Sequence, residues 1–212
     1  MTPKQIAYKN TANTIIKNLA KRSMEGYYCE TKEEALAKVL ELMPKGSTVG
    51  WGGSMTLNET GIMSAIKNGD YEIIDRDVAK TKEEQKTVYA RMINADYFLM
   101  STNAITMDGE LINIDGRANR VAFLCFGPEN VIIVTGMNKV VSDVDSGIKR
   151  TRDIATPANT VRLNRNTPCA VTGRCGDCLS PDCICNQVVI TRRCSGAPGR
   201  IKVVLVGEEL GY

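Results

Sequence analysis

Five of the chain's eight cysteines fall between Cys169 and Cys185, in the stretch TPCAVTGRCGDCLSPDCICN. The spacing is C-x5-C-x2-C, followed by a C-x-C pair at Cys183 and Cys185, with Cys194 further on. Thiolates held close together by Gly, Pro and Asp turns converge on soft or borderline metals, so an iron-sulfur cluster or zinc is the chemistry this spacing suits. A disulfide or a set of redox-reactive thiols stays open as a second use. Space filling suits the stretch poorly, because Gly, Asp, Arg, Ser and Pro neighbours cannot build an apolar core around five sulfurs. Cys29 in GYYCE and Cys125 in VAFLCF have apolar neighbours and read as inert buried thiols.

A second set of reactive side chains follows the strand-like segments. In open α/β sheets ligands gather beyond the carboxyl ends of the strands. Four such loops are rich in small polar residues: Trp51 to Thr56, Ser101 to Asn103, Asp115 to Arg120 and Gly136 to Lys139. They supply Ser54, Thr56, Asn103, Asp115, Asn119, Arg120, Asn138 and Lys139, enough donors and two cations for an anionic small molecule. In the first loop Gly50, Gly52 and Gly53 precede Ser54, and glycines let backbone N–H groups approach an anion at a helix N-terminus. The run is neither a Walker loop nor G-x-G-x-x-G, and the same residues suit an ordinary turn and N-cap. Asp108 and Asp115 are the candidate acid or base carboxylates. Each precedes a glycine in a turn-like setting, where Asp is also favoured for local hydrogen bonding. The chain has no histidine, so any catalysis rests on Asp, Glu, Lys, Cys or a cofactor.

The elements that must position these residues alternate in type. Residues 4–23 carry Ala12, Ile15, Ile16, Leu19 and Ala20 at helical spacing. Thr31 with Glu34 forms a capping-box pattern for a second helix that ends at Pro44. Ser47 to Gly50, Tyr71 to Ile74 and Asp96 to Ser101 read as strands, separated by helical patterns, the later one opened by Thr81 and Glu84. This βαβαβ order predicts a mostly parallel sheet covered by helices on both faces, a three-layer α/β/α fold. Asp108-Gly109 suits a hairpin between Ile105 to Met107 and Leu111 to Ile114, where the sheet is expected to turn antiparallel. Helices are expected over Arg117 to Phe126 and Ser142 to Ile154. The β-branched run Val131 to Thr135 is expected as a central strand. The chain then loosens through TPANTVRLNRN, regains strand character at Val188 to Thr191 and closes with the strand IKVVLVGEE. The organisation expected is an α/β domain over 1–165, a cysteine-rich metal-binding loop over 166–195 and a returning C-terminal strand within 196–212.

Bulk properties exclude several classes. A net charge of +3 with three Phe and one Trp offers neither the basic surface nor the stacking platforms of a nucleic-acid binder. No apolar run approaches the length that spans a bilayer, so no membrane insertion is expected. The start MTPKQIAYKN lacks a secretory pattern, and a cytoplasmic location is expected, where cysteines serve as ligands, redox groups or core residues rather than as a disulfide framework.

The stretches TNAITMDGELINIDGRANRVA and FGPENVIIVTGMNKVV, with VGWGGSMTL and RIKVVLVGEELG, resemble the LUD-domain family of lactate-utilisation proteins over nearly the whole chain. The resemblance implies a fold similar to sugar-phosphate isomerases and CoA transferases, with Gly52, Gly53, Ser54 and Thr56 on the phosphate or CoA side of the pocket. The chain shows no match to the catalytic glutamate of CoA transferases. It further implies a role beside iron-sulfur oxidoreductase subunits in oxidising lactate, a 2-hydroxy acid, to pyruvate. The family's cysteine-rich tail implies Cys169, Cys175, Cys178 and Cys185 as four ligands to an iron-sulfur cluster or zinc, with Cys183 where the pattern has Arg. Two other readings stay open: a freestanding transferase or isomerase acting on a CoA ester or sugar phosphate, and a non-catalytic assembly subunit. A homo-oligomer is compatible with each.

Overall fold

The computed structural model describes residues 1–212. Its N-terminal helix α1 (Pro3–Lys21) starts where Thr2 caps the Gln5 N–H and Pro3 occupies the first turn, a position that needs no N–H. A short strand β1 (Glu25–Cys29) follows, and then α2 (Lys32–Leu42). Thr31 caps α2 as expected, but Glu34 reaches back to the Glu30 N–H, so only half of the capping box closes. Next come β2 (Thr48–Trp51), α3 (Met55–Glu59), α4 (Ile62–Lys67), β3 (Glu72–Ile74) and α5 (Lys82–Ile93), whose capping box between Thr81 and Glu84 is complete. After β4 (Tyr97–Met100) lie β5 (Ala104–Thr106), β6 (Leu111–Asp115), α6 (Asn119–Cys125), β7 (Asn130–Gly136) and β8 (Val140–Val141). The chain ends with α7 (Val144–Arg150), α8 (Thr156–Arg162), α9 (Pro168–Thr172), β9 (Gln187–Thr191) and β10 (Ile201–Val206).

Six strands form one sheet in the order β1-β10-β7-β4-β2-β3, every pair parallel. Strand residues alternate between two cores, as the period of two demands. On one face Phe98, Met100, Val131, Ile133, Val203 and Leu205 pack with Ala12, Ile15 and Leu19 of α1, Met92 of α5 and Phe123 of α6. On the other, Leu99, Ile132, Val134, Val204 and Val206 pack with Ala35 and Val39 of α2, Leu57 of α3 and Ile62 and Ile66 of α4. This is the three-layer α/β/α arrangement, with the β-branched β7 beside the sheet's middle. No helix is long and apolar enough to cross a membrane.

Three expectations are corrected. The Asp108-Gly109 hairpin forms, but β5 and β6 do not extend the main sheet. With β8 and β9 they build a second sheet in the order β8-β5-β6-β9, and α7 packs on it through Gly147, whose missing Cβ leaves room for Ile112. The segment TPANTVRLNRN is largely helical: α7 continues through a π-helical turn at Thr151–Ala155 directly into α8. Pro157 is tolerated because it follows that widened turn and sits in the first turn of α8, where the lost N–H costs little. Finally, β1 is an edge strand paired with β10, in a segment with no run of β-branched residues to signal it.

Candidate functional site

The connections place two strands at a topological switch. From β2 the chain moves outward to β3, then crosses back to β4 on the other side. A crevice opens at such a point beyond the carboxyl ends of the strands. Here it is a cleft of about 540 Å³, within the usual range for small-molecule sites. Its floor and walls come from the segments after β2 (Gly53 to Thr56), β3 (Arg76), β4 (Ser101 to Asn103), β7 (Lys139) and β10 (Gly211, Tyr212). The end of β6 and the turn into α6 add Ile114 to Arg117, Asn119 and Arg120, and α8 adds Thr156, Asn159 and Arg162.

Arg120 ties these loops together. Its Nε donates to Asp115 Oδ2 at 3.1 Å, Nη1 to the Ser101 carbonyl at 3.3 Å, and Nη2 to Asn103 Oδ1 at 3.0 Å and the Ile114 carbonyl at 3.1 Å. Asp115 also accepts from the Arg117 and Ala118 N–H groups through Oδ1, holding a turn in which Ala118 takes φ 62°. Asn103 Oδ1 additionally accepts from the Ile114 N–H. Arg120 and Asp115 are therefore mutually satisfied and shape the cleft wall, whereas Asn103 is engaged only through Oδ1 and keeps its amide N–H groups for a ligand.

Lys139 is the opposite case. Its side chain is buried, 4% exposed, and Nζ donates to Thr56 Oγ1 at 2.9 Å and Ser101 Oγ at 3.1 Å. Burial first, then the Arg150 and Arg120 guanidiniums, push its pKa down to about 7, with Glu59 pulling weakly the other way. Arg150 is itself held by the Asn138 and Asn103 carbonyls at 3.0 and 2.8 Å.

The remaining predicted residues divide. Ser54 lines the cleft, and its Oγ accepts from the Leu57 N–H as the cap of α3, a helix of five residues. Gly50 and Gly52 serve packing: a Cβ at Gly50 would lie 2.9 Å from Met92 Cγ, and one at Gly52 3.0 Å from Arg120 Cγ. Only Gly53 of the three reaches the cleft. Asn138 points elsewhere, and its Oδ1 accepts from the Leu210 N–H. Asp108 sits on the hairpin turn in a separate hollow beside Arg22 and Arg192, away from the cleft.

The cysteine stretch forms part of the cleft wall. Ile184 lines the cleft and packs on Gly116, while Asn186 donates to the Gly116 carbonyl at 2.9 Å. Cys185 Sγ lies 3.5 Å from Thr156 Oγ1, on a cleft-lining residue. Burial pushes the Cys185 thiol up to about 11, with Cys183 and Cys175 close enough to contribute. Cys169 is buried, with Sγ 3.3 Å from Thr167 Oγ1 and 3.6 Å from Thr160 Oγ1. The donor chemistry suits a soft metal, but no three of the chain's Cys, Asp or Glu residues converge as a coordination shell in this arrangement.

Sequence reasoning missed Arg76, Arg162 and Arg165, and within the loops it named it did not single out Ser101 and Arg117. Arg76 was accessible by the rule already applied, since it follows a parallel strand. Arg162 and Arg165 were not, because the segment bearing them reads as loop until the π-helical turn carries α7 across Pro157. With these included, the charge pattern is clear. The lining carboxylates Asp77 and Asp115 pair with Arg76 and Arg120. Arg117, Lys139, Arg162 and Arg165 line the cleft with no carboxylate within 4.0 Å.

No curated protein matches the chain. Among solved structures it is similar to a DUF162-family protein from Deinococcus radiodurans, a 1.70 Å crystal structure, with 14% identity and a TM-score of 0.55 over 94% of this chain and 98% of that one. At that identity the likeness speaks for the fold. The LUD domain matches residues 12–206, and the chain accordingly belongs to the LUD domain family.

Proposed function

We propose that the cleft binds a small anionic metabolite of the 2-hydroxy or 2-oxo acid class, and that the protein serves the oxidation of lactate or a related 2-hydroxy acid to the oxo acid. The observation that carries this reading is the cationic lining without counter-charge. Arg117, Arg162 and Arg165 face one cleft and none has a carboxylate partner within 4.0 Å, an arrangement that an anionic ligand completes. Membership of the LUD domain family supports lactate chemistry for that anion. The cysteine stretch on the wall is proposed to take zinc or an iron-sulfur cluster, and an iron-sulfur oxidoreductase subunit as partner would then meet this face.

A second reading has its own support. Arg76, Arg117, Arg162 and Arg165 extend the cationic lining beyond Lys139, and the cleft is larger than a three-carbon acid fills. Both features suit a phosphorylated ligand such as a sugar phosphate or a CoA ester. Thermal-shift measurements with lactate, pyruvate, sugar phosphates and CoA thioesters separate the two. The first reading expects lactate or pyruvate to raise the unfolding midpoint in wild type and to raise it less in Arg165→Ala. A shift given only by the phosphorylated ligands, and lost in Arg165→Ala, would establish the second reading in its place.

A further inference from the structure

Lys139 is held unlike any other cation in the molecule. The Thr56 hydroxyl donates its proton to the Leu210 carbonyl at 3.4 Å, and the Ser101 hydroxyl donates to the Thr102 carbonyl at 3.3 Å. Each hydroxyl has only one proton, so both oxygens must accept from Nζ, at 2.9 and 3.1 Å. A neutral amine has two N–H bonds and one lone pair. Both N–H bonds are used by the two hydroxyls, and the lone pair is left without a partner. An ammonium would carry a third N–H with no carboxylate within reach, beside the fixed charges of Arg120 and Arg150. The two hydroxyls accept from either form, and it is burial beside two guanidiniums, with no carboxylate within 4.0 Å, that favours the unprotonated amine. Lys139 also lines the cleft.

We propose that Lys139 is a catalytic amine that attacks the carbonyl carbon of a 2-oxo acid held in the cleft and forms an imine with it. This rests on the anion-binding reading above and adds the ligand's carbonyl as the recognised group. The Nζ lone pair forms the N–C bond as the carbonyl π pair moves to oxygen, which takes up a proton. The nitrogen gives up one proton to form the neutral carbinolamine, the hydroxyl takes up a second proton and departs as water as the nitrogen pair forms the C=N bond, and loss of the last N–H proton leaves the neutral imine. Amine and ketone give imine and water, no electrons are gained or lost, and no oxidant is required. Arg117, Arg162 and Arg165 supply positive charge for the ligand's carboxylate. Once protonated, the imine draws electrons from the adjacent carbon, so the chemistry it serves is cleavage of a C–H or C–C bond next to the carbonyl.

The test is reductive trapping. The full-length chain is incubated with pyruvate and sodium borohydride near neutral pH, and intact-mass spectrometry with peptide mapping locates any adduct. Pyruvate binding is measured in parallel by thermal shift without the reductant. The expected result is one reduced pyruvate adduct at Lys139, absent from Lys139→Arg and Lys139→Met, with both variants folded by circular dichroism. A pyruvate-induced shift with no adduct at Lys139 overturns the imine while leaving the anion site standing. Neither shift nor adduct overturns the 2-oxo acid reading of the cleft and the imine with it.

Discussion

Asp115 and Arg120 form an ion pair at 3.1 Å whose side chains are 11% and 15% exposed. The pair joins the end of β6 to the start of α6, and through Arg120 to the loop after β4. Its work is to hold three cleft segments in register. Asp115→Asn keeps the shape but presents an NH2 group to a guanidinium or to two backbone N–H donors. The variant is expected to lose about 2 kcal/mol of stability in urea denaturation, the cost of leaving charged donors poorly paired. A loss of ligand binding with unchanged stability would instead make Asp115 a direct ligand contact.

The layered fold was legible because its signals are local. Thr81 with Glu84, the β-branched run of β7 and the Asp108-Gly109 turn each act within a few residues, and each element forms where those residues place it. The second sheet was not legible, since pairing β6 with β9 depends on residues far apart in sequence. Lys139 and Thr56 could be named from their positions after strands. Their contact could not, nor could the commitment of Arg120 to Asp115 and Asn103, which turns a supposed ligand contact into scaffold. The glycine run shows the same limit from the other side. Gly50 and Gly52 looked like phosphate contacts, yet Met92 and Arg120 fill the space a Cβ would need.

Lys139 should leave a signature in the pH dependence of stability. Its folded pKa is about 7 against an ordinary value of 10.5. Between those values the unfolded chain holds the proton and the folded chain releases it, so stability rises with pH across this window. Below pH 7 both states are protonated and the contribution is flat. The limiting slope for one group is roughly 1.4 kcal/mol per pH unit. Urea midpoints measured from pH 6 to pH 9, as the difference between wild type and Lys139→Met, should show this rise. The difference cancels Cys29 and Tyr27, whose raised pKa values act oppositely at the alkaline end. A flat difference would mean that Lys139 keeps its proton, with Glu59 outweighing Arg150, Arg120 and burial.

Arg200 offers a stability test that leaves the cleft untouched. Its guanidinium donates to the carbonyls of Pro128, Leu124 and Phe123 at 2.7 to 2.8 Å, closing the C-terminal end of α6 onto the strand that precedes the chain's end. Arg200→Met deprives three carbonyls of their donor at a half-buried site and is expected to cost about 2 to 3 kcal/mol. Arg200→Lys, with a single ammonium in place of the planar fork, should recover only part of that. Pyruvate-induced shifts should be unchanged in both variants, because none of these atoms faces the ligand.

The cysteine stretch makes the last prediction, and it turns on Cys169. If the loop takes zinc or a cluster, Cys169 binds it from a buried place beside the Thr160 and Thr167 hydroxyls, which are positioned to donate to its thiolate. Anaerobically purified protein is then expected to carry one zinc or one iron-sulfur cluster, measured by elemental analysis and visible absorbance. Cys169→Ser, Cys175→Ser, Cys178→Ser and Cys185→Ser should each lower the metal content, and Cys194→Ser, whose sulfur faces the Ala197 carbonyl, should not. Iron with visible absorbance would place redox chemistry against the cleft wall at Ile184. Colourless protein with equimolar zinc would make the loop a structural clip that fixes that wall. Metal-free protein in which Cys169 resists thiol reagents while Cys175 and Cys183 react would leave Cys169 as a core residue and remove the metal from the account.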